Sequence, residues 1–521
     1  MTKMQNAGVL EQHSARYDPT VIPKPSSERP SLDSAEVIPP SVFHSSADYV
    51  NAYKSKRTTP TAVVEAFLAS LKTGGRDRIF ITLTSDTELR AAAAASTARY
   101  EAGNPLQLDG VLLVVKDELD VAGTPKTLGL TLEEARLRHV GAAEEGQTSW
   151  CVQKLLDAGM IFLGKTNMHE IGLDATNNNP NWGVPPNPYN IKYYPGGSSG
   201  GTGAAVGAGI CPIGVGADGG GSVRLPAAYC GIYGLKPSHG RVSMSPTQSI
   251  APSVGVIGPL AATMHDLEVS YRIMATPNPA ARPFPPPLPT NPGRKILGIF
   301  PAWFNDCEPD VLAAATAAVS HLRDVCGYEV VNITLPYLSE SRGAHALTIL
   351  SEISGVFCRG STHGLTPANR ILVAVAKHTP ARDLLLAQKL RSMMMSHLAF
   401  LYQQYPGLLI VTPTIPHAGV LVTAGEKGGA GNSDANVSLK TMRYAFLANW
   451  VGTPAITVPC GYAQSNMPIG LMAMGEWGDE EGLIRFGKEW ERAWEGGTVG
   501  GTAEEPAAGR KRGDGWVDLL A

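Results

Sequence analysis

The chain has 521 residues, 43% of them hydrophobic and 17% charged, with a formal net charge of −3. This composition is typical of a globular protein, and the near-neutral charge gives no electrostatic basis for binding nucleic acid or an anionic membrane surface. Seven scattered cysteines form no disulfide framework. The first thirty residues contain no apolar signal-peptide segment, and no run approaches the ~18 apolar residues of a membrane helix. We therefore expect a cytoplasmic protein that spans no membrane and binds no nucleic acid.

Strand and helix signals alternate along much of the chain. Residues 1–45 are polar and rich in proline, which predicts a partly ordered N-terminal arm. A capped helical pattern begins at Ser46, and short aliphatic runs at 110–116 and 160–164 predict buried strands with a helix between them. This alternation predicts an α/β fold with a largely parallel sheet.

The middle of the chain has a different character. Residues 174–240 are rich in glycine and carry little regular signal apart from a small-residue helix at 202–209, so we expect mostly functional loops there. Strands and helices return after Asp266. They include a helical block rich in Leu and Met at about 343–404. Within it, the run LLLAQKLRSMMMSHLAFLY, residues 384–402, has a stripe of Leu, Met and Phe that is more typical of core packing than of a substrate channel. Residues 496–521 are low in complexity and predict a C-terminal tail.

A lysine ends the first predicted buried strand. The sequence GVLLVVKDELDV, residues 110–121, runs through aliphatic residues into Lys116, and Asp117 and Glu118 follow. Because lysine is rarely fully buried, a surface charge paired with one of these acids is one interpretation. The other is a lysine held inside, since burial favours the neutral amine and makes it a usable base. Both acids should then point away, because a carboxylate at the amine would keep it protonated.

One stretch matches a phosphate-binding motif. GMIFLGKT, from Gly159 to Thr166, satisfies the pattern G-x-x-x-x-G-K-[ST]. That pattern needs a glycine-rich loop between a strand and a helix, whereas the four intervening residues here are Met, Ile, Phe and Leu. They are typical of the strand itself, so we keep a nucleotide-binding ATPase only as an alternative.

Two glycine-rich motifs carry serines. PGGSSGG contains Ser198, and by itself it predicts a glycine turn, because no strand precedes the serine as a nucleophile elbow requires. GADGGGSVRLPAAYCG brings Ser222 to a predicted helix start after Gly219, Gly220 and Gly221. A helix cap is the ordinary interpretation of such a serine. Successive glycine amides can also converge on an anion, which is the alternative for this motif.

Together, VVKDELDVAG, PGGSSGG and GADGGGSVRLPAAYCGIYGLKP resemble the amidase signature family of serine hydrolases in content, order and spacing. The resemblance covers about residues 46–495 and implies one large α/β/α domain with a central mixed twisted sheet covered by helices. It implies hydrolysis of a carboxylic amide C–N bond in a small molecule, with no metal and no organic cofactor. The resemblance is compatible with a homodimer. It also leaves an alternative function, that of an amidotransferase A-type subunit that works with partner proteins.

The resemblance also implies roles for individual residues. Ser222 corresponds to the nucleophile that forms an acyl-enzyme, Ser198 to a bridging serine after a cis Gly-Ser bond, and Lys116 to the neutral base. Asp218 and Arg224 correspond to supporting positions around these groups. Four backbone amides correspond to the oxyanion hole, those of Gly219, Gly220, Gly221 and Ser222.

The chain departs from the family pattern at two positions. Ala217 stands where the family often has threonine, so a hydroxyl near the three catalytic candidates is absent. Gly219 stands where the family usually has a larger residue. Both departures raise the question of what positions Lys116 and the oxyanion loop.

Overall fold

The computed structural model describes residues 41–138, 146–280, 294–357, 362, 364–422, 433–495 and 509–521. The predicted N-terminal arm, residues 1–45, lies outside this range except for residues 41–45. The strands in the described ranges are β1 Phe80–Leu83, β2 Leu112–Lys116, β3 Ile161–Thr166, β4 Ile213–Asp218, β5 Tyr233–Lys236, β6 Val256–Ala261, β7 Ile296–Ile299, β8 Glu329–Asn332, β9 Leu408–Pro413, β10 Ala455–Tyr462 and β11 Pro468–Met474.

Helices surround these strands. In the same ranges they are α1 Ser46–Lys54, α2 Pro60–Ser70, α3 Asp86–Glu101, α4 Leu132–Leu137, α5 Trp150–Asp157, α6 Gly200–Gly207, α7 Arg224–Tyr229, α8 Met264–Met274, α9 Pro301–Phe304, α10 Pro309–Asp324, α11 Leu338–Phe357, α12 Pro367–Lys377, α13 Ala381–Gln404, α14 Ala435–Thr441, α15 Phe446–Val451 and α16 Glu480–Glu495. Among the helices of the described ranges, none combines the length and apolar character needed to cross a lipid bilayer.

All eleven strands of the described residues belong to one mixed sheet, in the order β1-β3-β2-β4-β6-β5-β10-β11-β9-β7-β8. Strand β2 pairs in parallel with both β3 and β4, and β7 pairs in parallel with β8 and β9. The remaining pairs are antiparallel. The sheet confirms the α/β fold and the mixed sheet that the family resemblance implies. With four parallel and six antiparallel pairs among the described strands, it corrects the largely parallel sheet predicted from the alternation of strands and helices.

Alternate side chains of β11 show how helices cover both faces of the sheet. Leu471 and Ala473 pack in one apolar cluster with residues of α10 and α16. Met472 and Met474 belong to a second cluster, which contains residues of α11 and α13. Because successive side chains of a strand point to opposite faces, the two helix layers lie on opposite sides of the sheet.

Strand β4 corrects the expectation that residues 174–240 consist mostly of loops. This strand is fully buried and pairs with both β2 and β6. A Cβ at Gly214 would lie 2.5 Å from Cγ2 of Thr202 in α6, and a Cβ at Gly216 would lie 2.7 Å from Cδ1 of Leu260. Glycine weakens a strand signal, but here it lets neighbouring side chains approach the backbone closely. The predicted small-residue helix is confirmed as α6.

Residues 509–521, in the segment predicted as a tail, pack against the start of the described chain. The ring of Trp516 meets the ring of Phe43 edge to face, with 4.8 Å between centroids. The guanidinium of Arg510 lies 3.8 Å from the centroid of Phe43 on another side. Aromatic and cation–π contacts of this kind fix the last residues on the domain.

The segment that matches the phosphate-binding pattern forms strand β3. Its Lys165 is fully buried, and Nζ lies 3.0 Å from Oδ1 of Asp117. The other oxygen of Asp117 accepts hydrogen bonds from the backbone N–H groups of Thr127 and Gly129. The lysine is paired with a carboxylate inside the protein, and the four residues between the two glycines of the motif, residues 160–163, lead into and form the strand and leave no loop to surround a phosphate. The nucleotide-binding alternative therefore loses its structural basis.

We predict that Lys165→Met lowers the free energy of unfolding by ~3–5 kcal/mol, because it leaves the Asp117 carboxylate buried without its counter-ion. The matched control is Lys440→Met, which removes an exposed pair with Glu308 at 3.3 Å and should cost less than about 1 kcal/mol. Urea unfolding followed by tryptophan fluorescence measures both. Equal losses would contradict the importance assigned to the buried pair.

Candidate active site

Lys116 lies inside the protein at the end of β2. Its side chain is 1% exposed, and β2 lies between β3 and β4 in the sheet. Nζ lies 2.9 Å from Oγ of Ser198 and 3.2 Å from the carbonyl oxygen of Ala217. The lysine is thus held inside beside a serine, and the surface-charge interpretation is wrong.

The two acids after Lys116 point in different directions. Asp117 faces Lys165, as described above. Oε2 of Glu118 lies 2.9 Å from Nζ of Lys116, which corrects the expectation that both acids avoid the amine. The physical reason is a turn: β2 ends at Lys116, the N–H of Leu119 donates to the carbonyl of Lys116 at 3.1 Å, and residues 117 and 118 fold back between them. Strand alternation does not apply to turn residues, so the sequence pattern did not contain this contact.

Backbone hydrogen bonds hold Ser198 just ahead of α6. The peptide bond between Gly197 and Ser198 is cis, as the family resemblance implies. The N–H of Gly197 donates to the carbonyl of Ala175 at 2.7 Å, and the N–H of His169 donates to the carbonyl of Ser198 at 3.1 Å. Ser198 is 2% exposed. Hydrogen bonds from the backbone on both sides of the cis peptide bond therefore hold the Ser198 hydroxyl next to Lys116.

Asp218 and Arg224 organise the loop that carries Ser222. Oδ1 of Asp218 accepts from the N–H of Gly221 at 2.6 Å, and Oδ2 accepts from the N–H of Val223 at 3.1 Å. Two guanidinium nitrogens of Arg224 donate to the same carboxylate at 3.0 Å each. Burial opposes ionisation, but the adjacent Arg224 brings the pKa of Asp218 well below its usual range. The buried pair thus fixes the turn between β4 and α7, where Ser222 precedes the helix as predicted.

Gly221 is an exception among the four amides expected to form an oxyanion hole. Its N–H is engaged by Asp218, and among the described residues it does not line the cavity that Ser222 lines. With φ at +129°, it adopts a conformation that favours glycine, and a Cβ there would lie 2.8 Å from Cβ of Ala445. Gly221 therefore shapes the turn. The expected donors that do line the cavity belong to Gly219, Gly220 and Ser222.

His345 also supports this loop, and sequence reasoning missed it. Its Nε2 lies 2.9 Å from the carbonyl oxygen of Gly219, and since a carbonyl only accepts, Nε2 carries the hydrogen. Burial lowers the pKa of His345 to about 4, so the ring is neutral at neutral pH. Because a peptide unit is planar, fixing this carbonyl also fixes the direction of the N–H of Gly220. No sequence pattern links a helix residue to a loop this far away in the chain.

The two departures from the family pattern have structural accounts. Ala217 acts through its backbone, since its carbonyl accepts from Nζ of Lys116 and from Oγ of Ser199, the latter at 3.3 Å. At Gly219, an added Cβ would lie 3.0 Å from Cδ1 of Ile349 in α11. The isoleucine occupies the space that a larger loop residue would need, so the loop is packed despite its glycine.

These groups open onto a cavity of about 790 Å³. Lys116, Glu118, Ser198 and Ser222 all line this cavity. Apolar side chains line it as well, mostly from α11, α12 and the segment around α14 and α15: Ile250, Ile349, Leu350, Ile353, Ile371, Leu372, Leu439, Met442 and Phe446. Within the described residues no side chain of α13 lines the cavity, and Met394 and Met395 there are buried in the core. The core interpretation of the Met-rich run is confirmed.

A family model described as Amidase matches residues 62–484. The chain is 35% identical over 467 residues to a fatty acid amide hydrolase of Medicago truncatula, covering 85% of this chain and 75% of that protein. It is 31% identical over 438 residues to the A component of the glutamyl-tRNA(Gln) amidotransferase of Roseiflexus castenholzii, covering 77% and 86%. The fold is similar to that of a bacterial aryl acylamidase, with a TM-score of 0.74 at 24% identity, covering 87% and 96%. The chain therefore belongs to the amidase signature family and is an amide-hydrolysing enzyme.

Proposed function

We propose that this enzyme hydrolyses amides with an apolar acyl chain through an acyl-enzyme on Ser222, with Ser198 and Lys116 as the proton relay. The observation that carries the proposal is the 2.9 Å contact between Nζ of Lys116 and Oγ of Ser198, deep in the wall of the cavity that Ser222 also lines. A buried amine can act as a base toward the hydroxyl beside it. With a second serine at the same cavity, this arrangement can activate Ser222 as a nucleophile.

In acylation, the neutral amine of Lys116 takes the proton of Ser198 while Ser198 takes the proton of Ser222. Oγ of Ser222 then bonds to the carbonyl carbon of the amide, and the carbonyl electron pair moves onto oxygen, toward the amides of Gly219 and Gly220. When the carbonyl re-forms, the C–N bond breaks and the proton returns through Ser198 to the leaving nitrogen. A water molecule repeats the sequence on the ester and releases the carboxylic acid.

Two observations support an apolar acyl group. The cavity wall contains Leu350 and Ile353 from α11 and Leu372 from α12, which offer alkyl surface within the same space as Ser222. The relative from Medicago truncatula is a fatty acid amide hydrolase, and its match covers most of both chains. An apolar chain leaving water for such a wall gains free energy in proportion to the area it buries.

The second candidate is the role of an amidotransferase A-type component, which the match to the Roseiflexus castenholzii protein favours. That role depends on partner proteins, whereas the proposed hydrolase acts alone. Turnover of an acyl amide by the purified single chain would favour the hydrolase. Turnover that appears only after the partner proteins are added would favour the amidotransferase role.

We predict that a fluorophosphonate probe labels Ser222, because the relay makes this hydroxyl a nucleophile. Intact-mass analysis and peptide mapping measure the adduct. Ser222→Ala should lose the label and lower kcat by at least ~10⁴-fold. The control Ser392→Ala changes an exposed serine of α13 and should keep both label and rate. A folded wild-type protein that stays unlabelled, or a label on another residue, would contradict the proposal.

We predict that kcat/KM rises with acyl length in a series of p-nitroanilides from butanoyl to dodecanoyl. Each methylene buried against the apolar wall contributes ~0.8 kcal/mol, or about fourfold, until the cavity is filled. Leu372→Asn should flatten the rise for the longer chains. The control Val375→Asn changes an exposed residue of the same helix, 56% exposed, and should keep the slope. A series with no dependence on length would contradict the acyl-chain assignment.

A further inference from the structure

Glu118 lies at the candidate active site without a role in the proton relay described above. Its side chain is 9% exposed and lines the cavity. Within the described residues, Nζ of Lys116 has three acceptors at hydrogen-bond distance: Oγ of Ser198 at 2.9 Å, the carbonyl of Ala217 at 3.2 Å and Oε2 of Glu118 at 2.9 Å. The carboxylate completes the surroundings of the amine.

The number of hydrogens on Nζ decides how these contacts are used. A lysine ammonium has three N–H groups and can donate to all three partners. The neutral amine has two N–H groups and one lone pair. The carbonyl of Ala217 and the carboxylate of Glu118 can only accept, so they take the two N–H groups. The lone pair is then left for the hydroxyl of Ser198, which is the partner that can donate.

We propose that Glu118 is a positioning residue for amide hydrolysis, which directs the lone pair of Lys116 at Ser198 and stabilises the ammonium once the proton arrives. This inference rests on the proposed function of Lys116 and Ser198. In acylation the O–H bond of Ser198 breaks and an N–H bond forms on Lys116. The charge that Glu118 stabilises exists only after this transfer, so the carboxylate favours the transition state over the neutral ground state.

The same carboxylate also has an effect on the resting enzyme. An opposite charge close to an amine favours its charged form, so removing the charge of Glu118 should favour the neutral amine. The protonated amine cannot accept a proton from Ser198. Glu118 therefore shifts the acidic limb of the pH profile, the range in which activity rises with pH, to higher pH. At pH values above this limb, where the amine is neutral, the same carboxylate makes the amine a stronger base.

Other ionisable groups surround this pair or line the same cavity. They are Asp117, His169, Asp174, Asp218, Arg342, His345 and Asp434. Asp117 and Asp218 are already paired with buried cations, and Asp174 accepts from the hydroxyl of Ser438. Burial lowers the pKa of His169, so this ring stays neutral at a pH where an exposed histidine would be protonated. Glu118 is thus the carboxylate with a contact to the amine.

The test is the pH profile of kcat/KM for dodecanoyl p-nitroanilide in Glu118→Gln. Glutamine keeps the shape and one accepting oxygen but removes the charge. We expect the acidic limb to move to lower pH by about one unit or more. The plateau kcat at high pH should fall about threefold to tenfold, since the base is weaker. Glu118→Asp keeps the charge, and its acidic limb should stay close to that of the wild type; it serves as the test if Glu118→Gln does not fold.

Asp120→Asn is the matched control, because Asp120 is the next acid in the sequence and pairs with Lys126 at 3.2 Å rather than with Lys116. Its acidic limb should not move. A limb that stays in place in Glu118→Gln, or a shift of equal size in Asp120→Asn, overturns the proposal. So does a change confined to KM for substrates with a cationic amine, which would assign Glu118 to substrate binding.

Lys116→Ala, measured in parallel, separates this inference from the proposed function. If Lys116→Ala hydrolyses the anilide at the wild-type rate, the proton relay itself is wrong, whatever Glu118 does. If Lys116→Ala is inactive but folded while the limb of Glu118→Gln does not move, the relay stands and the role of Glu118 fails.

Discussion

The hydrogen bond between Nζ of Lys116 and Oγ of Ser198 is the contact on which the rest of the site depends. It joins residues 82 positions apart in the chain, so it exists only because the sheet and α6 bring them together. Strand β2 must lie in the sheet next to β4, and α6 must pack close to β4, which Gly214 permits. The burial of Lys116 follows from the same packing. Fold and chemistry thus share one set of constraints.

Charge is concentrated where three adjacent parallel strands end. Strands β2, β3 and β4 run in parallel, and each carries a buried ionic residue at or near its carboxyl end. The ion pairs there are Lys116–Glu118, Lys165–Asp117 and Arg224–Asp218. A buried ion pair gives little net stability compared with an apolar pair of similar size. Removing one partner is costly, however, because it leaves a buried charge without a counter-ion, so such pairs favour one arrangement of the side chains over others. Here they fix the polar end of a cavity whose other walls are largely apolar, which is the usual place for a site in an open α/β sheet.

Much of this arrangement could be predicted, and the failures have physical causes. Strong apolar runs predicted β2 and β3, and the motifs with Ser198 and Ser222 predicted the site through a family resemblance. Strand β4 was missed because its glycines, needed for close packing, remove the side-chain pattern that identifies a strand. The contact of Glu118 was missed because residues 117 and 118 form a turn after β2, where strand alternation does not predict the direction of a side chain. His345 and the engaged amide of Gly221 depend on contacts between distant segments, which no local pattern contains.

In the proposed relay, Lys116 moves protons along the path to the leaving group. Comparing Lys116→Ala with the wild type on a dodecanoyl anilide and a dodecanoyl phenyl ester tests it directly. An amine leaves only when its nitrogen is protonated, whereas a phenolate leaves without a proton, so the relay matters more for the amide. We expect a loss of kcat/KM for the anilide that exceeds the loss for the ester by ~10²-fold or more. Equal losses on both substrates would contradict it, because they would give Lys116 no part in protonating the leaving amine.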